Sequence, residues 1–275
     1  MGRRRSAKPY ILVRIQILPL KYQIKKWGNK MNDLWIEENL KLIREKMNVT
    51  CQSTGRNPED VKLLLATKTV SADRIKQALE AGETLIGENK VQELEKKYSL
   101  LQDKNIEWHF IGHLQTNKVK QILKYVTCIH SVDRMKLGRV LHKELTKENR
   151  KLDILVQVNT SYEESKFGVA PEETLNLIEQ LSKLDTLNIK GLMTIGKLTT
   201  NDKETRDCFR LLKSIQQQAI EQNYPGVEMD ILSMGMSGDY EIAIEEGATI
   251  IRVGTAIFGE RDYPDSYYWN EQKQK

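Results

Sequence analysis

A lysine ends a run of mainly apolar residues, LLLATK at 63–68. Placed there, Lys68 is partly desolvated, which lowers an amine's pKa and makes it a nucleophile toward aldehydes. The plain alternative is a solvated lysine capping a strand. Further along, LSMGMSGDYE (232–241) sets Gly235, Ser237 and Gly238 just ahead of a helical pattern. Free backbone N–H groups and the dipole at such a place favour a phosphate, and Ser237 adds a hydroxyl. A helix cap with a tight turn is the ordinary alternative. Gly254-Thr255, after TIIRV (249–253), would complete a phosphate cup. Arg252 interrupts that apolar run, and an inward-pointing arginine needs a polar partner; a pyridine nitrogen would serve. An amine for an aldehyde, a cup for phosphate and a partner for a heteroaromatic nitrogen together describe a pyridoxal phosphate site.

Other chemistries fit less well. Gly235-Met236-Ser237-Gly238-Asp239 only half matches a nucleophile elbow, and no histidine follows Ser237, so the Ser…Asp…His order of a serine hydrolase is impossible. His109 and His113 are four apart, but on a strand and its loop, with no accompanying carboxylate ligand. No metal site is expected. His109 reads as a packed strand residue, while His113 is placed to stack on a ring or to support Arg252. Cys51, Cys128 and Cys208 lie far apart without paired spacing, which points to a reducing, cytoplasmic setting.

These residues need a frame that gathers them. Short β-like runs occur at 63–67, 84–87, 107–111, 127–131, 153–158, 189–194, 229–233 and 249–253. Helical patterns fill the intervals at about 72–81, 89–102, 116–124, 133–149, 171–184, 203–222 and 239–246, and an amphipathic stretch from Asp33 to about Thr54 precedes them. The alternation predicts an α/β fold, a single (β/α)8 TIM barrel, whose chemistry sits on the loops after the strands. The unusual residues fall on those loops. A doubly wound open sheet would show a glycine-rich turn after its first strand, and LLLATKTVSAD (63–73) has none.

Composition sets the bounds. The chain has 275 residues, 39% hydrophobic and 29% charged, and no stretch approaches the roughly 18–20 apolar residues of a membrane span. Its net charge of +5 hints at nucleic acid until the distribution is inspected. Residues 1–30 hold nine basic residues and no acid, so residues 31–275 carry 34 basic against 38 acidic, a net of −4. No nucleic-acid or membrane partner is expected. The apolar YILVRIQILPL (10–20) superficially resembles a targeting peptide, but Arg14 interrupts it and no small-residue cleavage site follows. Trp27-Gly28 must be encoded TGG-GGN, a G-rich run six nucleotides before the Met31 codon, where a bacterial ribosome-binding site would lie. The expected organisation is a basic extension over 1–30 with Met31 as the true start, a barrel over 31–262 and a polar tail over 263–275. N-terminal sequencing of the native protein tests this; retention of Arg3–Arg5 refutes it.

At these residues the chain resembles the pyridoxal phosphate homeostasis proteins, whose fold is that of the alanine racemase N-terminal barrel. The stretches are LLLATKT (63–69), IGENKVQE (86–93), WHFIGHLQTNK (108–118), VDRMKL (132–137), VQVNTSYEESKFGV (156–169), GLMTIG (191–196) and LSMGMSGDYEIAIEEGATIIRVGTAIFGER (232–261). The likeness covers about 33–261. It implies a Schiff base on Lys68, Asn89 beside the ring, Arg252 at the pyridine nitrogen, and Ser237, Gly254 and Thr255 on the phosphate. His113, Met193, Ser233 and Met236 would line the pocket. Thr67 stands where the family leads one to expect serine, and the hydroxyl is kept. The racemases add a second domain carrying a tyrosine base. This chain ends 22 residues after Val253, and Tyr263, Tyr267 and Tyr268 lie in a short polar tail. The expectation is a non-catalytic, monomeric, cytoplasmic carrier of pyridoxal 5'-phosphate, with no catalytic residue. A weak racemase or lyase, and a donor that docks on apo forms of pyridoxal phosphate enzymes, are the alternatives.

Overall fold

The computed structural model describes residues 34–259. The expectations for the first thirty residues, for the Met31 start and for the tail from 263 concern residues outside these. Eight parallel strands close into a barrel in chain order: β1 (Lys62–Ala66), β2 (Leu85–Glu88), β3 (Glu107–Phe110), β4 (Cys128–Val132), β5 (Leu152–Gln157), β6 (Leu187–Met193), β7 (Val227–Ser233) and β8 (Ile250–Val253). The expected barrel is present, each strand within two residues of its predicted place. The helices are α1 (Leu34–Ser53), α2 (Ala72–Glu80), α3 (Val91–Leu101), α4 (Val119–Ile122), α5 (Met135–Lys147), α6 (Thr174–Ser182), α7 (Asp202–Gln222), α8 (Tyr240–Glu245) and α9 (Thr255–Phe258).

Seven strands are followed by a helix that packs back on the sheet. After β8 comes only the four-residue α9, too short to cover its strand. The vacancy is filled from the other end of the described chain: α1 buries Ile36, Leu40, Ile43, Met47 and Cys51, spaced three and four apart, and packs against α2, α8 and α9. Asn39 Nδ2 donates to Ile257 O at 3.1 Å, and Arg56, just beyond α1, donates to Ile244 O and Ala248 O at 2.5 and 2.7 Å.

Alternation along the strands divides the core in two. Outward residues such as Leu63, Leu65, Ile86, Phe110, Ile129, Ile154, Leu192 and Ile251 join the helices in one large apolar cluster. The inward residues form two small clusters, one built on Leu64, Leu85 and Ile250 and the other on Cys128, Leu155 and Met193. Among them lie polar inward residues, His109, His130, Ser233 and Arg252, all buried. The lumen is therefore packed, as expected for eight strands, but part of its filling is hydrogen-bonded rather than apolar. Gly191 in β6 has φ +155 and approaches β7 so closely that a Cβ would lie 1.9 Å from Ile231 O, which fixes glycine at that register shift.

Candidate functional site

The C-terminal ends of β7, β8, β1 and β2 are consecutive around the barrel, so the residues that follow them converge. Lys68 lies just beyond β1 and is half-buried. Its neighbours in the chain are pinned. Thr67 Oγ1 donates to Glu88 Oε1 at 2.5 Å, Lys97 Nζ donates to Thr67 O at 2.7 Å, and Thr69, at φ +66, donates its N–H to Glu93 Oε2 at 3.0 Å. Lys97 also pairs with Glu88 at 2.5 Å, both side chains being buried. Burial pushes the Glu88 carboxyl up, against the opposing pull of Lys97 and Thr67. The loop carrying Lys68 is thus clamped to β2 and α3.

Arg252 points into the lumen, as its place in an apolar strand requires, and is 5% exposed. It finds protein acceptors: Nη1 donates to Ser233 Oγ at 2.8 Å and Nη2 to Thr194 O at 2.7 Å. Desolvation lowers its pKa to about 10, so the guanidinium is cationic at neutral pH. His113 does not supply that support. It stacks instead on Phe167, with ring centroids 3.8 Å apart and planes 15° apart, and its Nδ1 lies 3.7 Å from Asp133.

The loops after β7 and β8 are tied together. Ser237 Oγ accepts the N–H groups of Gly254 and Ala256, each at 3.2 Å. Asp239 Oδ1 accepts the Met236 N–H at 2.6 Å and closes the 236–239 turn. Two glycines are required here: Gly235 has φ +90 and a Cβ would stand 2.5 Å from Ala243 Cβ, while at Gly254 it would stand 2.8 Å from Ala66 O. The second contact also seats the β8 loop directly on the end of β1.

Asn89 follows β2, held by the close approach of Gly112, where a Cβ would fall 2.1 Å from Asn89 O; its own Oδ1 is buried and unpartnered. Met193 is buried in the lumen, Met236, Ser237 and Thr255 are half-buried at its mouth, and Ser233 is fully enclosed beneath Arg252. Ser233 therefore holds Arg252 rather than lining the opening. A surface hollow lined by His142, Thr146, Arg150, Lys151, Asp185 and Thr186 lies by the N-terminal ends of β5 and β6, away from this convergence.

Sequence reasoning did not single out His130 or Lys97, and it placed Glu88 at the end of a strand without giving it a role. His109 is more than a packed residue, since its Nδ1 meets His130 Nε2 at 2.8 Å and its Nε2 meets Glu107 Oε1 at 2.9 Å. The readable signal was alternation: WHF and CIHSV each set an imidazole on the inward face of adjacent strands. His109 and His113 do not come together. Among the described residues one group, His109, Cys128 and His130, brings donors within 4.8 Å of one another as a metal site would. The two imidazole nitrogens already pair with each other, and burial pushes the Cys128 thiol well up.

The chain was compared with known proteins. The alanine racemase N-terminal domain family matches residues 36–262. The pyridoxal phosphate homeostasis protein of Aquifex aeolicus is 44% identical over 226 residues, covering 82% of this chain and 98% of that one. That of Escherichia coli K12 is 36% identical over 236 residues, 85% of this chain and 99% of the other. PipY of Synechococcus elongatus, solved with PLP bound, is 33% identical at a TM-score of 0.73, covering 82% of this chain and 100% of that one. An alanine racemase of Clostridium difficile, 14% identical at a TM-score of 0.63, shares the fold over 83% of this chain and 58% of its own length.

Proposed function

This chain belongs to the pyridoxal phosphate homeostasis protein family, and from that premise we propose that it holds pyridoxal 5'-phosphate at the convergence of β7, β8, β1 and β2 without using it for turnover. The observation that carries the reading is the placement of a half-buried lysine, a buried guanidinium and a two-loop cup at adjacent strand ends. The residues present fit the group. Asn89 Oδ1 is a buried orphan, the close packing of Gly254 on Ala66 brings the β8 loop up to the end of β1 beside Lys68, and the described residues take only two of the Arg252 side chain's five N–H donors.

When bound, the cofactor supplies a reactive aldehyde that an amine can capture reversibly. Lys68 is that amine, and the clamp on Thr67 and Thr69 fixes where it reaches. Ser237 and Thr255 offer the phosphate their hydroxyls, and Gly254, whose N–H donates to Ser237 Oγ, turns the serine hydrogen outward to the same anion. Arg252 donates to the ring nitrogen. A guanidinium offers hydrogen bonds only, so it leaves that nitrogen unprotonated and the ring a weak electron sink. Asn89, His113, Met193 and Met236 shape the pocket, with Ser233 behind Arg252. This arrangement favours storage over catalysis, in keeping with the homeostasis names of the relatives. None of the described helices is long and apolar enough to cross a membrane. A monomeric, cytoplasmic protein that releases cofactor to apo-enzymes, with the barrel as one domain over 31–262, completes the proposal.

The experiment is absorbance of purified protein loaded with the cofactor. A yellow band that borohydride fixes onto Lys68 is expected, and Lys68→Ala should lose both. Persistence of the band in that variant refutes the attachment. Turnover of alanine enantiomers well above free cofactor would replace the carrier reading with a racemase.

A further inference from the structure

Arg252 is held from below by a hydrogen-bonded string that runs down the inside of the barrel. Ser233 Oγ meets Arg252 Nη1 at 2.8 Å and His130 Nδ1 at 3.0 Å. His130 Nε2 meets His109 Nδ1 at 2.8 Å, and His109 Nε2 meets Glu107 Oε1 at 2.9 Å. His130 is fully enclosed, whereas the Glu107 side chain, at the start of β3, is 46% exposed. The string thus joins the floor of the pocket to the opposite rim of the barrel.

Its two ends dictate the proton positions between them. A guanidinium only donates, so Ser233 Oγ accepts from Arg252. Serine has one hydrogen, and the other side-chain partner of Ser233 among the described residues is His130, so the hydroxyl donates to Nδ1. The His130 proton must then sit on Nε2 and be donated to His109 Nδ1. His109 in turn carries its proton on Nε2 and donates it to the Glu107 carboxylate. The reverse order fails at both ends. It would leave the Ser233 hydrogen without an acceptor and set a bare His109 Nε2 lone pair against a carboxylate. A doubly protonated His130 is disfavoured too, since burial, with the charge of Arg252 added, holds its pKa well below the usual imidazole value.

We propose that His130 is a positioning residue: through Ser233, and backed by His109 and Glu107, it fixes the direction in which the Arg252 guanidinium faces its ligand. This rests on the reading of the site as a pyridoxal phosphate pocket, but the proton order does not. His130 accepts from a hydroxyl whose lone pairs are thereby turned to Arg252. Without that acceptor the hydroxyl rotates freely and the guanidinium loses a fixed partner.

Two measurements test it. In the cofactor-free protein labelled with 15N-histidine at neutral pH, both His109 and His130 should show a protonated Nε2 and a bare Nδ1, with signals assigned from His130→Asn. A proton on Nδ1 of His130 overturns the proposal. So does one zinc ion per chain in the isolated protein, because those nitrogens would then be ligands. In the second measurement, His130→Leu should bind pyridoxal phosphate about tenfold more weakly, the scale of one hydrogen bond to a charged group, and should shift the absorbance maximum of the loaded protein. His130→Asn, whose Oδ1 replaces the Nδ1 acceptor, should restore both. Unchanged affinity and spectrum in the leucine variant refute the role. Should that variant not fold, Ser233→Ala and the tautomer measurement decide. If the wild type binds no cofactor, the functional reading fails while the proton order is still judged by the first measurement.

Discussion

At the scale of single residues, the least ordinary pair is Glu88 and Lys97, an ion pair buried beneath the Lys68 loop. Removing one partner of such a pair costs about 3–5 kcal/mol, because the other charge is left uncompensated. Lys97→Met should therefore be destabilised by about that much near neutral pH in urea titration. The pH dependence has a definite sign. Glu88 is already raised above its unfolded value, and losing Lys97 raises it further, so the folded state binds the extra proton more tightly than the unfolded one. Stability of the variant should recover as pH falls toward the unfolded carboxylate range of about 4.3 and decline as pH rises through the folded pKa. A flat pH profile would show that the carboxylate is relieved in another way. Little of this pair was legible beforehand, since Glu88 and Lys97 are charged residues that composition assigns to solvent, and only closure of β2 and α3 over the β1 loop removes them from it. Lys68, Ser237 and Arg252 were legible because each breaks the pattern around it.

At the scale of elements, the strands were readable from short apolar runs separated by helical periods, and the barrel followed from their number and order. The small devices that make the site were not readable from periodicity. Gly226 and Gly235 look alike in sequence, and both have positive φ, +72 and +90, yet a Cβ at Gly226 meets nothing within 4 Å while one at Gly235 strikes Ala243. Gly226→Ala should cost about 1–2 kcal/mol, the left-handed penalty alone. Gly235→Ala adds overpacking of about 1–3 kcal/mol and should displace the 236–239 turn. Denaturation curves and phosphate affinity of the two variants measure the contrast: equal losses would mean that the α8 contact is slack. His130 belongs to the same lesson, for its role depends on β3, β4, β7 and β8 facing one lumen.

At the scale of the whole molecule, a ligand that binds only the folded barrel must stabilise all of it. Cofactor at 100 times its dissociation constant should add about 2.7 kcal/mol, and a domain of this size gains about 2–4 °C in Tm per kcal/mol. A thermal-shift increase of about 5–10 °C, absent with pyridoxal lacking the phosphate, is the expected outcome; equal shifts with both would take the phosphate cup out of the account. The whole positive excess lies in the first thirty residues and residues 31–275 are net −4, so on the proposed reading an anion would be met by local donors rather than by a basic surface.

The helix that fills the vacancy beside β8 has a consequence for how the protein is made. Ribosomal synthesis delivers α1 before every other described element, yet Asn39 finds its acceptor 218 residues later, at Ile257. Until then its apolar stripe is covered on the α2 side alone, and contacts of such long sequence separation form late. The segment that finally releases α1 from waiting, 235–257, is the same one that carries the glycine turn, Ser237 and Arg252. Closing the barrel at β8 and completing the 235–257 segment are thus one event, the last among the described elements. Stalled nascent chains ending at Gln222 should be cleaved readily by protease within α1, whereas released full-length chains should resist; equal resistance would separate the two events.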